Sequence, residues 1–104
     1  MPGTVSVTRT DQAITIKIKG RFTYKIHAPF RAAYRDGALD QGFKRRFIID
    51  LASTEYIDSS ALGMLLVLRG KTYAHEAQIE IINARPEVRK VLEIANFHLL
   101  FKIT

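Results

Sequence analysis

The chain has 104 residues, 47% of them hydrophobic and 25% charged, and a net charge of +6. These are the proportions of one ordinary globular domain, long enough for a single core but not for two. Cysteine is absent, which excludes disulfides, thiolate zinc sites and thiol chemistry.

Met1-Pro2-Gly3-Thr4-Val5-Ser6 offers neither a basic stretch nor an apolar segment, so no signal peptide is expected and a cytoplasmic protein is the default. Val5 and Val7 then alternate with polar residues, Thr10-Asp11-Gln12 makes a turn, and Ile14, Ile16 and Ile18 alternate with Thr15, Lys17 and Lys19. Period two on both sides of a short polar connection predicts a hairpin, whose second strand should stop at Gly20. Ile26, Phe30, Ala33 and Tyr34 recur at three and four, predicting a helix over about 27–35. Pro29 is tolerable there because it falls in the first turn. Asp36-Gly37 and Gln41-Gly42 are stop and turn signals.

Lys44-Arg45-Arg46 is the one cluster of basic residues; the other cations are mostly singletons. A basic balance raises nucleic acid or an anionic membrane as a partner. Dispersed charge without interleaved aromatics instead describes a solvated surface, so no direct nucleic-acid or membrane partner is expected. Phe47-Ile48-Ile49-Asp50-Leu51 is a nearly continuous apolar run, as for a central strand covered on both faces.

Asp58-Ser59-Ser60 follows, at the head of another apolar run. Asp and Ser side chains accept hydrogen bonds from the first free N–H groups of a helix, so a helix should run from Ser59 to about residue 74. Its uncharged stretch Ala61–Leu68 is far below the roughly 20 residues needed to span a bilayer. At about 100° per residue, Ala61, Leu65, Leu68 and Thr72 share one face, with Leu62, Leu66 and Tyr73 to one side. Gly63, Val67, Gly70 and Ala74, flanked by Met64 and Lys71, lie opposite. Two glycines on one stripe allow close approach, either by a neighbouring helix of the same domain or by a partner. Gln78–Ile82 reads as a strand, Pro86 opens a third helix with Val88, Val91, Leu92 and Ala95 on one face, and Asn96 caps its end. Leu99–Ile103 closes the chain as a last strand or a docked tail. The β-β-α-β-α-β-α order implies right-handed crossovers and a single α/β domain over 1–104. Its mixed four- to five-stranded sheet should carry the helices mainly on one face.

The chemistry on offer is thin. His27, His75 and His98 lack a ligand spacing, so no metal or cofactor is expected. No phosphate-binding glycine loop is present, and Ile57-Asp58-Ser59-Ser60-Ala61 lacks the glycines of a nucleophile elbow. Asp50, Glu55 and Asp58 read as strand-end and helix-start hydrogen bonders. Neither catalytic residues nor an enzyme are expected.

The passage from Phe47 to Leu65, with Ile57-Asp58-Ser59-Ser60-Ala61-Leu62-Gly63 at its heart, resembles the signature of STAS domains of the anti-sigma-factor-antagonist kind. Over nearly the whole chain the remaining elements fall in that family's order. Ala61 stands where the family usually has Gly; a methyl in a helix's first turn favours helix and should leave a switch intact. The resemblance implies a partner switch. The unphosphorylated form binds an anti-sigma factor that is a serine kinase of the histidine-kinase-like ATPase fold, and a sigma factor is freed. Phosphorylation of the serine after the Asp, here Ser59 rather than Ser60, blocks binding, and a metal-dependent serine phosphatase restores it. The partner surface so implied comprises Asp58, Ser59, Ser60, Gly63, Met64 and Val67. Alternatives are a STAS accessory subunit of a lipid-transport-type ATP-binding cassette transporter, and a basic nucleic-acid-binding domain.

Overall fold

The computed structural model describes residues 3–10, 12–35, 46–73 and 78–104. The turn signals at 36–37 and 41–42, Lys44, Arg45, Ala74 and His75 lie outside them, as do the side chains of Thr72 and Tyr73. In order come β1 (Thr4–Arg9), β2 (Ala13–Phe22), a 3-10 turn (Tyr24–Ile26), α1 (His27–Arg35), β3 (Arg46–Asp50) and β4 (Thr54–Ile57). Then follow α2 (Ser59–Tyr73), β5 (Gln78–Ile82), α3 (Pro86–Ile94), a second 3-10 turn (Phe97–Leu99) and β6 (Lys102–Ile103). No described helix is long and apolar enough to cross a membrane.

The strands form one mixed sheet in the order β1-β2-β3-β5-β6, with β4 pairing β2 off that path. Among the described residues only β1 and β2 are antiparallel; β2–β3, β3–β5, β5–β6 and β2–β4 are parallel. Ile14, Ile16 and Ile18 of β2, Phe47 and Ile49 of β3 and Ile81 of β5 are buried under the helices. Phe22, Phe30, Leu65, Leu68 and Leu92 belong to the same core. The opposite face pairs Lys17 with Asp50 and Ile48 with Glu80, and is only partly covered. Glu80 there accepts Arg46 at 3.0 Å and Lys102 at 3.5 Å, tying β3, β5 and β6.

Four expectations are corrected. β3 is central but covered fully on one face only, since Ile48 and Asp50 are half-buried on the side away from the buried core. β2 does not end at Gly20: glycine's freedom at φ 86° lets the strand shift register between Gly20 and Arg21 and continue to Phe22. The expected β-β-α-β-α-β-α order has no place for β4. It is a strand because β2 reaches far enough to pair Gly20 with Thr54 and Phe22 with Ile57, making six strands among the described residues rather than four or five. Val91 is 36% exposed rather than core, because α3 turns Val88 and Leu92 inward and Val91 falls at the margin. Asn96 takes the left-handed conformation after α3, φ 62°, the geometry that ends helices.

Candidate functional site

Strand β4 delivers the head of α2 to the surface. Its anchors are buried: Thr54 is fully covered and its hydroxyl donates to the Ile18 carbonyl at 2.7 Å, while Ile57 pairs with Phe22. The turn before it is held by Asp50, whose Oδ1 accepts the Ala52 N–H at 3.0 Å and the Asn83 side chain at 3.4 Å. With that frame fixed, Asp58 becomes the N-cap of α2. Its carbonyl accepts the first helical bond from Leu62 at 3.2 Å, and its Oδ1 accepts the Ala61 N–H at 2.9 Å.

The two serines are not equivalent. The Ser60 hydroxyl is half-buried and donates to Asp58 Oδ1 at 2.6 Å. That bond, followed by the Ala61 and Ser60 backbone, holds the Asp58 carboxyl below its usual pKa of 3.8. Ser59 is exposed, and its hydroxyl makes no hydrogen bond among the described residues.

From Ser59 the exposed side of α2 runs through Gly63, Leu66, Val67 and Gly70. Leu66 is 43% and Val67 53% exposed. A Cβ added at Gly63 or at Gly70 would meet nothing within 4 Å, so these glycines pack against no helix among the described residues. At about 100° per residue Ser59, Gly63, Leu66 and Gly70 fall in one line. The structure thus brings together Asp58, Ser59, Ser60, Gly63 and Val67. Met64 is the exception: at 6% exposure it sits in the core, because the inward face of α2 spans Ala61, Met64, Leu65 and Leu68. Leu66 belongs on the open stripe in its place; its position two turns after Ser59 was the available signal. Also missed was Tyr56, 44% exposed just before the site, with the Arg21 guanidinium 4.5 Å from its ring centre.

Other candidates resolve into structural roles. Asp50 and Asp58 cap the backbone, as their positions suggested. His27 stacks on Tyr24 at 5.1 Å, and His98 is exposed. Arg46, the described member of the basic cluster, is paired with Glu80.

A family model described as "Mlab, STAS domain" matches residues 5–102. A STAS-domain containing protein of Pseudomonas aeruginosa (strain UCBPP-PA14) is 50% identical over 93 residues, 89% of each chain. A Bordetella bronchiseptica protein provisionally named anti-sigma factor antagonist BtrV is 29% identical over 65 residues, 62% of this chain and 55% of that one. Among solved structures, the Bacillus protein SpoIIAA in its phosphorylated form superposes with a TM-score of 0.69 at 19% identity, covering 97% of this chain and 91% of the other. SpoIIAA in its unphosphorylated form, described as an anti-sigma factor antagonist, gives 0.74 over 97% and 87%. At such identity these two show likeness of fold.

Proposed function

For a chain that belongs to the STAS-domain family, as the match over residues 5–102 and the 50% identical relative establish, we propose the function of an anti-sigma-factor antagonist working by partner switching in the cytoplasm. The unphosphorylated protein binds an anti-sigma factor, itself a serine kinase of the histidine-kinase-like ATPase fold, and a sigma factor is released. The kinase transfers a phosphoryl group to Ser59, and a metal-dependent serine phosphatase removes it. The observation that carries this reading is the first turn of α2. There Asp58 engages the Ser60 hydroxyl and leaves the exposed Ser59 hydroxyl at the head of an open apolar stripe. The named likenesses, one to an anti-sigma factor antagonist and one to a fold solved in a phosphorylated form, support the same reading.

The physics of the switch follows from position. In the transfer, Ser59 Oγ bonds to the γ-phosphorus of ATP, ADP leaves, and the hydroxyl proton passes to a base of the kinase. The phosphoserine carries roughly −1.5 to −2 charges and three acceptor oxygens. A helix N-terminus accommodates that charge, since its dipole and free N–H groups favour anions, so the fold survives. A partner covering the Gly63–Leu66–Gly70 stripe would have to desolvate the phosphate beside the ionised Asp58, and a buried unpaired charge is strongly disfavoured.

Pull-downs from cell extract with wild type, Ser59→Ala and Ser59→Asp test the reading, together with phosphopeptide mass spectrometry after incubation with the recovered kinase and ATP. Ser59→Ala should bind constitutively and resist phosphorylation, and Ser59→Asp should lose most binding. Phosphate on Ser60 alone would overturn the site. Copurification with an ATP-binding cassette subunit in place of a kinase would overturn the function in favour of a transporter accessory subunit.

A further inference from the structure

Away from the Ser59 stripe, at the far end of β4, an open cleft of about 770 Å3 separates the start of β1 from the β3–β4 turn. Its cations are Lys19 and Arg21 from β2 and Arg85 from the residue before α3. Thr4 and Ser53 add hydroxyls, and Glu55 is the one carboxylate among its described lining residues. None of these four charged groups is in an ion pair among the described residues. Among the described residues the cleft lining therefore carries three cations against one anion, an excess of two positive charges.

Two of the cations are held in place by contacts that leave donors unused. The Arg21 guanidinium lies 4.5 Å from the centre of the Tyr56 ring, a contact to its flat face that leaves its N–H edges open. Arg85 donates Nε to the Ala52 carbonyl at 3.2 Å, which leaves its terminal NH2 groups for another acceptor. The floor is shaped by backbone. Gly20 bends β2 at φ 86°, and a Cβ at Gly3 would come 2.3 Å from the Arg21 carbonyl oxygen, so the backbone just before β1 is pressed directly against the bend. Placed guanidinium donors matched to a compact, doubly charged acceptor are the usual means of binding a phosphoryl group, and the volume lies in the range of small-molecule sites.

We propose that this cleft binds a small phosphorylated molecule, its dianionic phosphoryl group held by Lys19, Arg21 and Arg85. Glu55 at the wall turns away a second run of negative charge, which selects a compact anion over a continuous polyanion. The site is separate from the Ser59 switch and stands whether or not that reading holds.

The test is an NMR titration of the amide spectrum with inorganic pyrophosphate at constant ionic strength, with malonate and a single-stranded oligonucleotide as parallel arms. Pyrophosphate should give saturable shifts with a midpoint below about 1 mM, confined to residues 3–4, 19–21, 53–55 and 85. The double variant Lys19→Gln/Arg85→Gln should weaken that binding about tenfold or more with its melting temperature little changed. Arg31→Gln/Lys90→Gln, on α1 and α3, should leave it unaltered. Non-saturating shifts, shifts scattered over the other lysines and arginines, equal binding of malonate, or tighter binding of the oligonucleotide over a broad surface would each overturn the proposal. The wild-type shift map decides the matter even if the double variant fails to fold.

Discussion

Gly63→Arg separates stability from binding, and its two effects have opposite signs. A glycine inside an exposed helix costs about 1 kcal/mol relative to Ala, and Arg is nearly as good a helix former as Ala. Because an added Cβ at Gly63 has no neighbour within 4 Å, no clash offsets that gain. Gly63→Arg should therefore stabilise the free protein by about 0.5–1 kcal/mol. Gly70→Ala is open in the same way and should add a similar amount, since sites about 10 Å apart along a helix usually contribute independently. Urea unfolding followed by circular dichroism would show the pair as a rise of about 1 M in midpoint, given slopes of about 1–3 kcal/mol per M. The same Gly63→Arg protein should lose about tenfold or more in affinity for the partner recovered with Ser59→Ala, because a long cationic side chain then stands on the stripe. A loss of stability beyond about 1 kcal/mol would refute the reasoning, since it would mean that the glycine faces the protein's own interior.

Three further outcomes follow from single contacts. Asp58→Ala removes the N-cap and should cost about 1 kcal/mol at neutral pH. Because the folded pKa of Asp58 is lowered, its stabilisation is complete above the usual value of 3.8 and disappears as pH falls through the folded value; a gap between wild type and variant that stayed constant down to about pH 2 would contradict this. Thr54→Val keeps the shape of a fully buried side chain but deletes its 2.7 Å bond to the Ile18 carbonyl, and chemical denaturation should show a loss of about 1 kcal/mol. Leu92→Ala, at a fully buried position, should cost about 2–5 kcal/mol. Val91→Ala, one residue earlier, should stay within about 0.5 kcal/mol, and equal costs would mean that α3 is rotated from the described orientation.

Most of the element order was legible because its signals were local. The period of three and four from Ile26 to Tyr34 gave α1 its limits, and Asp58 marked the start of α2 through ordinary capping chemistry. What escaped reading depended on partners distant in sequence. β4 shows no alternation, since Thr54 and Ile57 are buried and Glu55 and Tyr56 exposed; it is a strand because the end of β2 is available beside it. Gly20 looked like a terminator, yet its backbone freedom serves a bend within a continuing strand. The stripe on α2 was placed correctly for Gly63, Val67 and Gly70. Met64 was misassigned because helical angles alone leave open how wide the buried face is, and here it is wide enough to take Met64 in. That Ser60 engages Asp58 and leaves Ser59 exposed is a rotamer-level fact that residue types leave open.

The strand order also governs how the chain can fold. Among the described residues, only β1 and β2 are paired strands joined by a short turn, Arg9 pairing with Ile14. Hairpins of this kind close in about 1–10 μs. Every other pairing waits on a longer closure: Ile14 meets Phe47, and Phe47 meets Ile79. Since β2 pairs with β1, β3 and β4, the hairpin is the template on which β3 and β4 dock, and β5 and β6 then add to β3 in turn. Topologies so rich in distant pairings fold more slowly than helical bundles of the same size. Substitutions in β2 that weaken the template should slow folding, whereas changes confined to the late-docking β6 should mainly speed unfolding.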